Sequence, residues 1–127
     1  MLLMICGRLD VDLHELVQAL LSGDTLTARQ WVADAGRENV VWARIPAPTG
    51  SEPVAMAVAA SVVELLASRA GQPAPPWTAS VPAAPRPVFL VRAAETMPRL
   101  RRECENESPE PLRRRRLFAP SNFLTAA

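Results

Sequence analysis

Apolar residues return at helical spacing in three stretches of this chain, and the glycines fall where those stretches stop. Leu13, Leu16, Val17, Leu20 and Leu21 stand at i, i+3, i+4, i+7 and i+8, the series of one helix face. This predicts a first helix from Leu13 to Ser22, with Asp10 or Asp12 as its cap. Ala28, Trp31, Val32 and Ala35 repeat the spacing. They predict a second helix capped by Asp24 or Thr25, with Arg29, Gln30 and Asp34 towards water. The short Ser22-Gly23-Asp24 link folds the two into a hairpin or an angled pair. Val54, Val58, Val62, Leu65 and Leu66 mark a third helix reaching Ala70. Ser51 is its expected cap, with Glu52 and Pro53 in the first turn. Its many alanines let another helix approach closely, so it is the expected centre of the core. Gly23, Gly36 and Gly71 each follow one of these segments, where a left-handed residue closes a last turn.

Between and beyond the helices the pattern changes. Val40 to Ile45 is β-branched with Trp42 at its middle, and reads as extended up to Pro46. Six of the 13 prolines lie between Pro73 and Pro87, which excludes helix there. An ordered polyproline-like strap pinned by Trp77 is one reading and a flexible linker the other. Val88 to Val91 is a strand or a buried crossing segment. A fourth helix is expected near Met97 to Glu105. Ser108-Pro109-Glu110 starts a short fifth one carrying Leu112 and the four arginines behind it. The fold class is therefore mainly α: an irregular bundle of four to five helices with a Pro-rich strap and room for one short strand pair. One domain is expected, with residues 1–71 as helical core, 72–91 as strap and 92–127 as a basic helical C-terminal segment.

Composition narrows the possibilities. A chain of 127 residues with 49% hydrophobic content suits one globular domain and not wholesale disorder. With three Trp, three Phe and no Tyr, the core must be aliphatic. Every basic residue is Arg. Residues 1–98 hold seven Arg against nine acids, and residues 99–127 hold seven against four, so the C-terminal quarter is the basic end. Cys6 and Cys104 are expected as reduced thiols in a cytoplasm, since stapled secreted scaffolds usually carry more cysteines. The apolar opening stops at Arg8 without a leading positive charge, which argues against a signal peptide. No run approaches the length that spans a bilayer.

Catalytic chemistry finds little to use. His14 is the single histidine, and His14-Glu15 lacks the second histidine of the zinc-protease motif one turn on. Cys104 has guanidinium neighbours that would lower its pKa and carboxylates that would oppose them. No phosphate-cradling loop, nucleophile elbow or zinc spacing is present. The expectation is no enzyme, no metal and no cofactor. The hairpin 13–35 has the outline of a helix-turn-helix, but its second helix offers Arg29 and Gln30 beside Asp34 and is otherwise apolar, a poor groove reader.

One charge feature stands out. Arg113, Arg114, Arg115 and Arg116 are followed closely by Phe118 and Phe123, and arginine and aromatics are the types enriched at binding hot spots. These six residues are the candidate partner-binding set. The competing readings are a solvated helix face paired with Glu103, Glu105, Glu107 and Glu110, a tail packed on its own domain, and a phosphate-binding run. The phrases Ala28-Arg29-Gln30-Trp31-Val32-Ala33-Asp34-Ala35, Pro76-Trp77-Thr78-Ala79 and Pro111-Leu112-Arg113-Arg114-Arg115 with Ala119-Pro120-Ser121-Asn122-Phe123-Leu124 resemble a group of small uncharacterised bacterial proteins of GC-rich genomes, associated with antitoxin or accessory partners of nucleotidyltransferase-like toxins. The resemblance spans most of the chain and carries no functional residue. It implies binding to another protein, co-encoded in the same genome. The expected function is thus a non-enzymatic interaction module, antitoxin-like. A small nucleic-acid-binding regulator using the hairpin or the arginine run is the alternative.

Overall fold

In a computed structural model, residues 13–38, 40–48 and 52–124 are described. The chain is mainly helical with a two-stranded parallel sheet. Helix α1 occupies residues 13–22 and buries Leu13, Leu16, Val17 and Leu20, leaving Leu21 at the edge of the face. Asp10 and Asp12 lie outside the described residues. The helix ends where Gly23 takes φ 82°, its N–H bonding Leu20 O at 3.3 Å while Asp24 N–H reaches Ala19 O at 2.8 Å. That paired closure needs a left-handed residue. A side chain at Gly23 would also meet Arg92 Cδ at 3.2 Å.

Helix α2 spans Thr25–Arg37. Asp24 caps it, accepting from Thr27 N at 3.1 Å and from Thr27 Oγ1 at 2.7 Å. Gly36 does not end it as expected: the helix runs on to Arg37, and Glu38 is the C-cap. Val40 to Ile45 is likewise not a strand but encloses a 3-10 turn, Trp42–Arg44. The reason is a side chain standing in for a neighbouring strand. Gln72 Oε1 accepts from Trp42 N at 2.9 Å, and Gln72 Nε2 donates to Val40 O at 3.2 Å.

Helix α3 spans Pro53–Arg69. Ser51 and Gly50 lie outside the described residues; the cap is Glu52, whose Oε2 accepts from Ala55 N at 2.6 Å. Every residue from Ala57 to Val63 is buried. A helix apolar on all sides is a central one. Gly71, at φ 69°, closes it with the same paired bonds, Gly71 N to Ser68 O at 3.1 Å and Gln72 N to Ala67 O at 2.9 Å. Leu16, Leu20, Trp31, Val58, Val62 and Leu65 sit in one buried cluster, as their spacing required.

The Pro-rich segment is an ordered strap. It contains a 3-10 turn, Pro76–Ser80, and Trp77 pins it by donating its indole N–H to Ile45 O at 2.8 Å. Strand β1 (Val88–Phe89) then pairs in parallel with β2 (Leu117–Phe118), Val88 opposite Leu117 and Phe89 opposite Phe118. Between them lie a 3-10 turn at Arg92–Glu95, helix α4 at Pro98–Glu107 and the single turn α5 at Glu110–Arg113. Ser108 does not cap α5, whose N-cap is Pro109. Its buried hydroxyl instead donates to Leu117 O at 2.9 Å.

Two substitutions test this core. Leu65→Ala removes a side chain from the central cluster and should lower unfolding free energy by about 2–5 kcal/mol in denaturant titration. Ser61 is fully buried and its hydroxyl has no hydrogen-bond partner among the described residues. Ser61→Ala should therefore stabilise the protein by about 1 kcal/mol. A loss of that size instead would mean the hydroxyl is bonded.

Candidate functional site at the arginine turn

The four consecutive arginines do not share a helix face. Helix α5 gives out at Arg113, and Arg116 adopts φ 64°, the left-handed conformation that usually falls to Gly or Asn after a helix. Arg116 N–H bonds Arg113 O at 3.0 Å, and its own carbonyl accepts from Val88 N at 2.9 Å. The chain thus reverses inside the run and enters β2. Each arginine leaves in its own direction.

Arg115 goes inwards. Its side chain is 5% exposed, and its guanidinium finds five acceptors. Nη1 meets Glu64 Oε1 at 2.5 Å and Pro111 O at 3.5 Å; Nη2 meets Glu64 Oε2 at 3.1 Å and Thr78 O at 2.6 Å; Nε meets Val81 O at 3.2 Å. Its backbone carbonyl also accepts from Ala84 N at 2.9 Å. One residue therefore fastens α3, the strap and α5 together. Glu64 sits on α3 with its side chain 10% exposed. Burial raises its pKa, but the hydrogen bond from Arg115 and the charges of Arg115 and Arg114 outweigh burial, so the carboxyl titrates below its ordinary value.

The other three remain on the surface. Arg113 donates through Nη2 to Asn106 O at 2.6 Å, and Arg116 through Nη1 to Pro85 O at 3.4 Å. Arg114, half-exposed, pairs with Glu64 Oε1. Beside Arg114 and Arg115 an open pocket of about 350 Å³ is floored by Glu64 and walled by Ala79, Val81 and Ala83. Arg113 and Arg116 form no ion pair among the described residues. Their backbone bonds fix them in place without neutralising them.

The two phenylalanines pack within the chain. Phe123 is buried in the core cluster. Phe118 is half-buried with its ring 5.4 Å from Phe89, whose ring also carries Arg101 at 4.8 Å. Arg69 holds the tail down, its Nη1 bonding Phe123 O at 2.5 Å and its Nη2 bonding Ser121 O at 3.3 Å. Of the six expected partner-binding residues, then, Arg113, Arg114 and Arg116 face outwards and Phe118 is partly accessible. Arg115 and Phe123 are buried and engaged within the chain itself. Glu64 is the residue the sequence reading passed over. Its signal was present: it is the sole charge between Glu52 and Arg69, and a carboxylate inside an apolar helix needs a partner.

Other candidates are less organised. His14 is exposed on α1. Cys104 is a buried free thiol, and burial with the charge of Glu103 raises its pKa, which disfavours the nucleophilic thiolate. On α2, Gln30 donates to Asp34 at 3.1 Å and Arg37 pairs with the same carboxylate, while Arg29 is exposed and forms no ion pair among the described residues. Among the described residues no group of three or more His, Cys, Asp and Glu side chains could hold a metal ion. None of the described helices is long and apolar enough to cross a membrane.

No protein-family model, no curated protein and no solved structure matches this chain. Function must be argued from the geometry.

Glu64→Gln strands a buried guanidinium and should lower stability by about 3–5 kcal/mol, whereas the double change Glu64→Leu with Arg115→Met should recover most of that loss. The wild-type carboxylate titrates below its ordinary value of 4.5. Its contribution is therefore complete above that pH and disappears as pH falls through the folded-state pKa. Glu64→Gln should flatten this part of the acid-stability curve. A parallel curve for wild type and variant would show that the pair does not carry it.

Proposed function

We propose that this protein is a non-enzymatic interaction module that presents its arginine turn to an acidic surface on another protein. The observation that carries the reading is the division of labour within the run. Arg115 is consumed by Glu64, while Arg113 and Arg116 stay exposed, un-neutralised and held by bonds to backbone carbonyls. An arginine already fixed in position loses less conformational freedom on binding than a free one, and its planar fork suits carboxylates. Phe118, two residues past Arg116 in sequence and half-buried, keeps accessible aromatic surface. The resemblance around Arg29, Trp77 and Phe123 supports the narrower form of an antitoxin-like neutraliser or accessory subunit with a co-encoded partner. The free thiol of Cys104 suits a reducing cytoplasm.

The test uses the arginines that the fold does not need. Arg113→Glu with Arg116→Glu should leave the helical circular dichroism and the thermal midpoint close to wild type. Capture of a co-encoded partner, identified by mass spectrometry, should fall at least about tenfold, or ~1.4 kcal/mol. Full-strength capture by the folded double variant would remove the arginine turn from the interface. Binding of mixed-sequence DNA or RNA tighter than about micromolar near physiological salt, weakening steeply as salt rises, would replace this reading with the nucleic-acid one.

A further inference from the structure

A second concave site lies away from the arginine turn. A groove of about 530 Å³ opens between the C-terminal ends of α2 and α3, the Trp42 turn and the tail. Its walls are apolar, formed by Val32, Ala35, Val40, Trp42, Leu66 and Leu124. Gly36 lies on the α2 side, exposed, and a side-chain carbon built there would meet nothing within 4 Å among the described residues. The groove therefore has room directly above a helix backbone. Its volume falls in the usual range for small-molecule sites, which combine apolar walls with a few fixed polar groups.

Two polar residues also line it, Arg69 and Gln72. Gln72 has its amide engaged at both ends by Trp42 and Val40. Arg69 is different. It bonds two backbone carbonyls, forms no ion pair among the described residues, and keeps further N–H donors in its fork. The carbonyls that end α3 are already satisfied by the N–H groups of Ala70, Gly71 and Gln72, so Arg69 is not spent on them. The residue remains exposed, so its free donors are open to a ligand, while partial burial of the guanidinium pulls its pKa down.

We propose that this groove binds a small aliphatic carboxylate, its chain lying over Gly36 against Trp42 and Leu66 and its head group on the Arg69 guanidinium. The charge of the site selects an anion, and its single cation suits one charge. Its walls select an alkyl chain. An extended peptide is a poorer fit, because neither described strand lines the groove to offer backbone pairing.

Titration calorimetry of the full chain with sodium octanoate tests this, with octanol and octylamine as neutral and cationic matches. Octanoate should bind with Kd of about 1 mM or tighter and the other two at least about tenfold more weakly. Gly36→Leu fills the groove from its open side and removes a helical glycine, so it should abolish binding without loss of thermal stability. Arg69→Gln should weaken octanoate at least about tenfold and leave octanol unchanged. Arg69 also holds the tail; should that variant not fold, Gly36→Leu and the octanol comparison decide the matter. The proposal is overturned by equal affinity for octanoate and octanol, by undiminished binding to Gly36→Leu, or by no binding up to about 10 mM. An apolar peptide with a free C-terminus that binds more tightly than octanoate would also overturn it, assigning the groove to a polypeptide end.

Discussion

The C-terminal half of this fold depends on one buried ion pair, Arg115 with Glu64. Removing two charges from water is costly, and Coulomb attraction repays that only when the geometry is good and the remaining donors are satisfied. Both conditions hold. The carboxylate is gripped by both Arg115 terminal nitrogens, and the rest of the fork meets the carbonyls of Thr78, Val81 and Pro111. A lysine could not replace it, because a point charge on a flexible stem cannot reach a carboxylate on α3 and carbonyls of the strap and α5 at once. A proline-rich strap has few N–H groups with which to build regular structure. Arg115 takes up the Val81 carbonyl and adds a second donor to that of Thr78, which already accepts from Val81 N. The pair contributes placement more than net stability: with it, the strap has one position across α3.

The elements legible from sequence were those with local causes. Helices α1, α2 and α3 follow from apolar spacing, and Gly23 and Gly71 close two of them with φ near 82° and 69°. Gly36 misleads because nothing local distinguishes a glycine inside the last turn from one just past it. Val40 to Ile45 misleads because its backbone groups are met by the side chain of Gln72, some thirty residues on. The arginine run misleads twice. Its helix gives out at Arg113 and the following turn closes on a left-handed Arg116 where no Gly or Asn gives warning, and the partner of Arg115 is 51 residues away in sequence. A run of like residues suggests one shared role. Here the turn sends two of them to one carboxylate and the other two to backbone carbonyls, which only the tertiary path could reveal.

Helix α3 grips the tail at two points on one side of its sequence, Glu64 through Arg115 and Arg69 through the carbonyls of Ser121 and Phe123. The segment between, β2 and its neighbours, buries Leu117, Ala119, Phe123 and Leu124. The apolar end of the chain is therefore the lid of its own core. This explains why Phe123 is spent internally and Phe118 only partly exposed, while Arg113, Arg114 and Arg116 stay outside.

That arrangement constrains how any partner could be recognised. Withdrawing Arg115 to meet a partner would leave Glu64 buried with Arg114 alone and free the carbonyls of the strap, a penalty comparable to breaking a buried pair, about 3–5 kcal/mol. Arg113 and Arg116 each forgo at most one bond to a carbonyl that water can replace. Engagement at the rim is thus far cheaper than insertion, and the fold need not open. Exposed arginines acting at the rim of an interface govern association rate and partner choice more than residence time, and their effect is screened within about 8 Å at physiological salt. Affinity beyond that must come from apolar contact beside them. Of the two candidate aromatics, Phe118, half-buried against Phe89, is the one that keeps accessible surface.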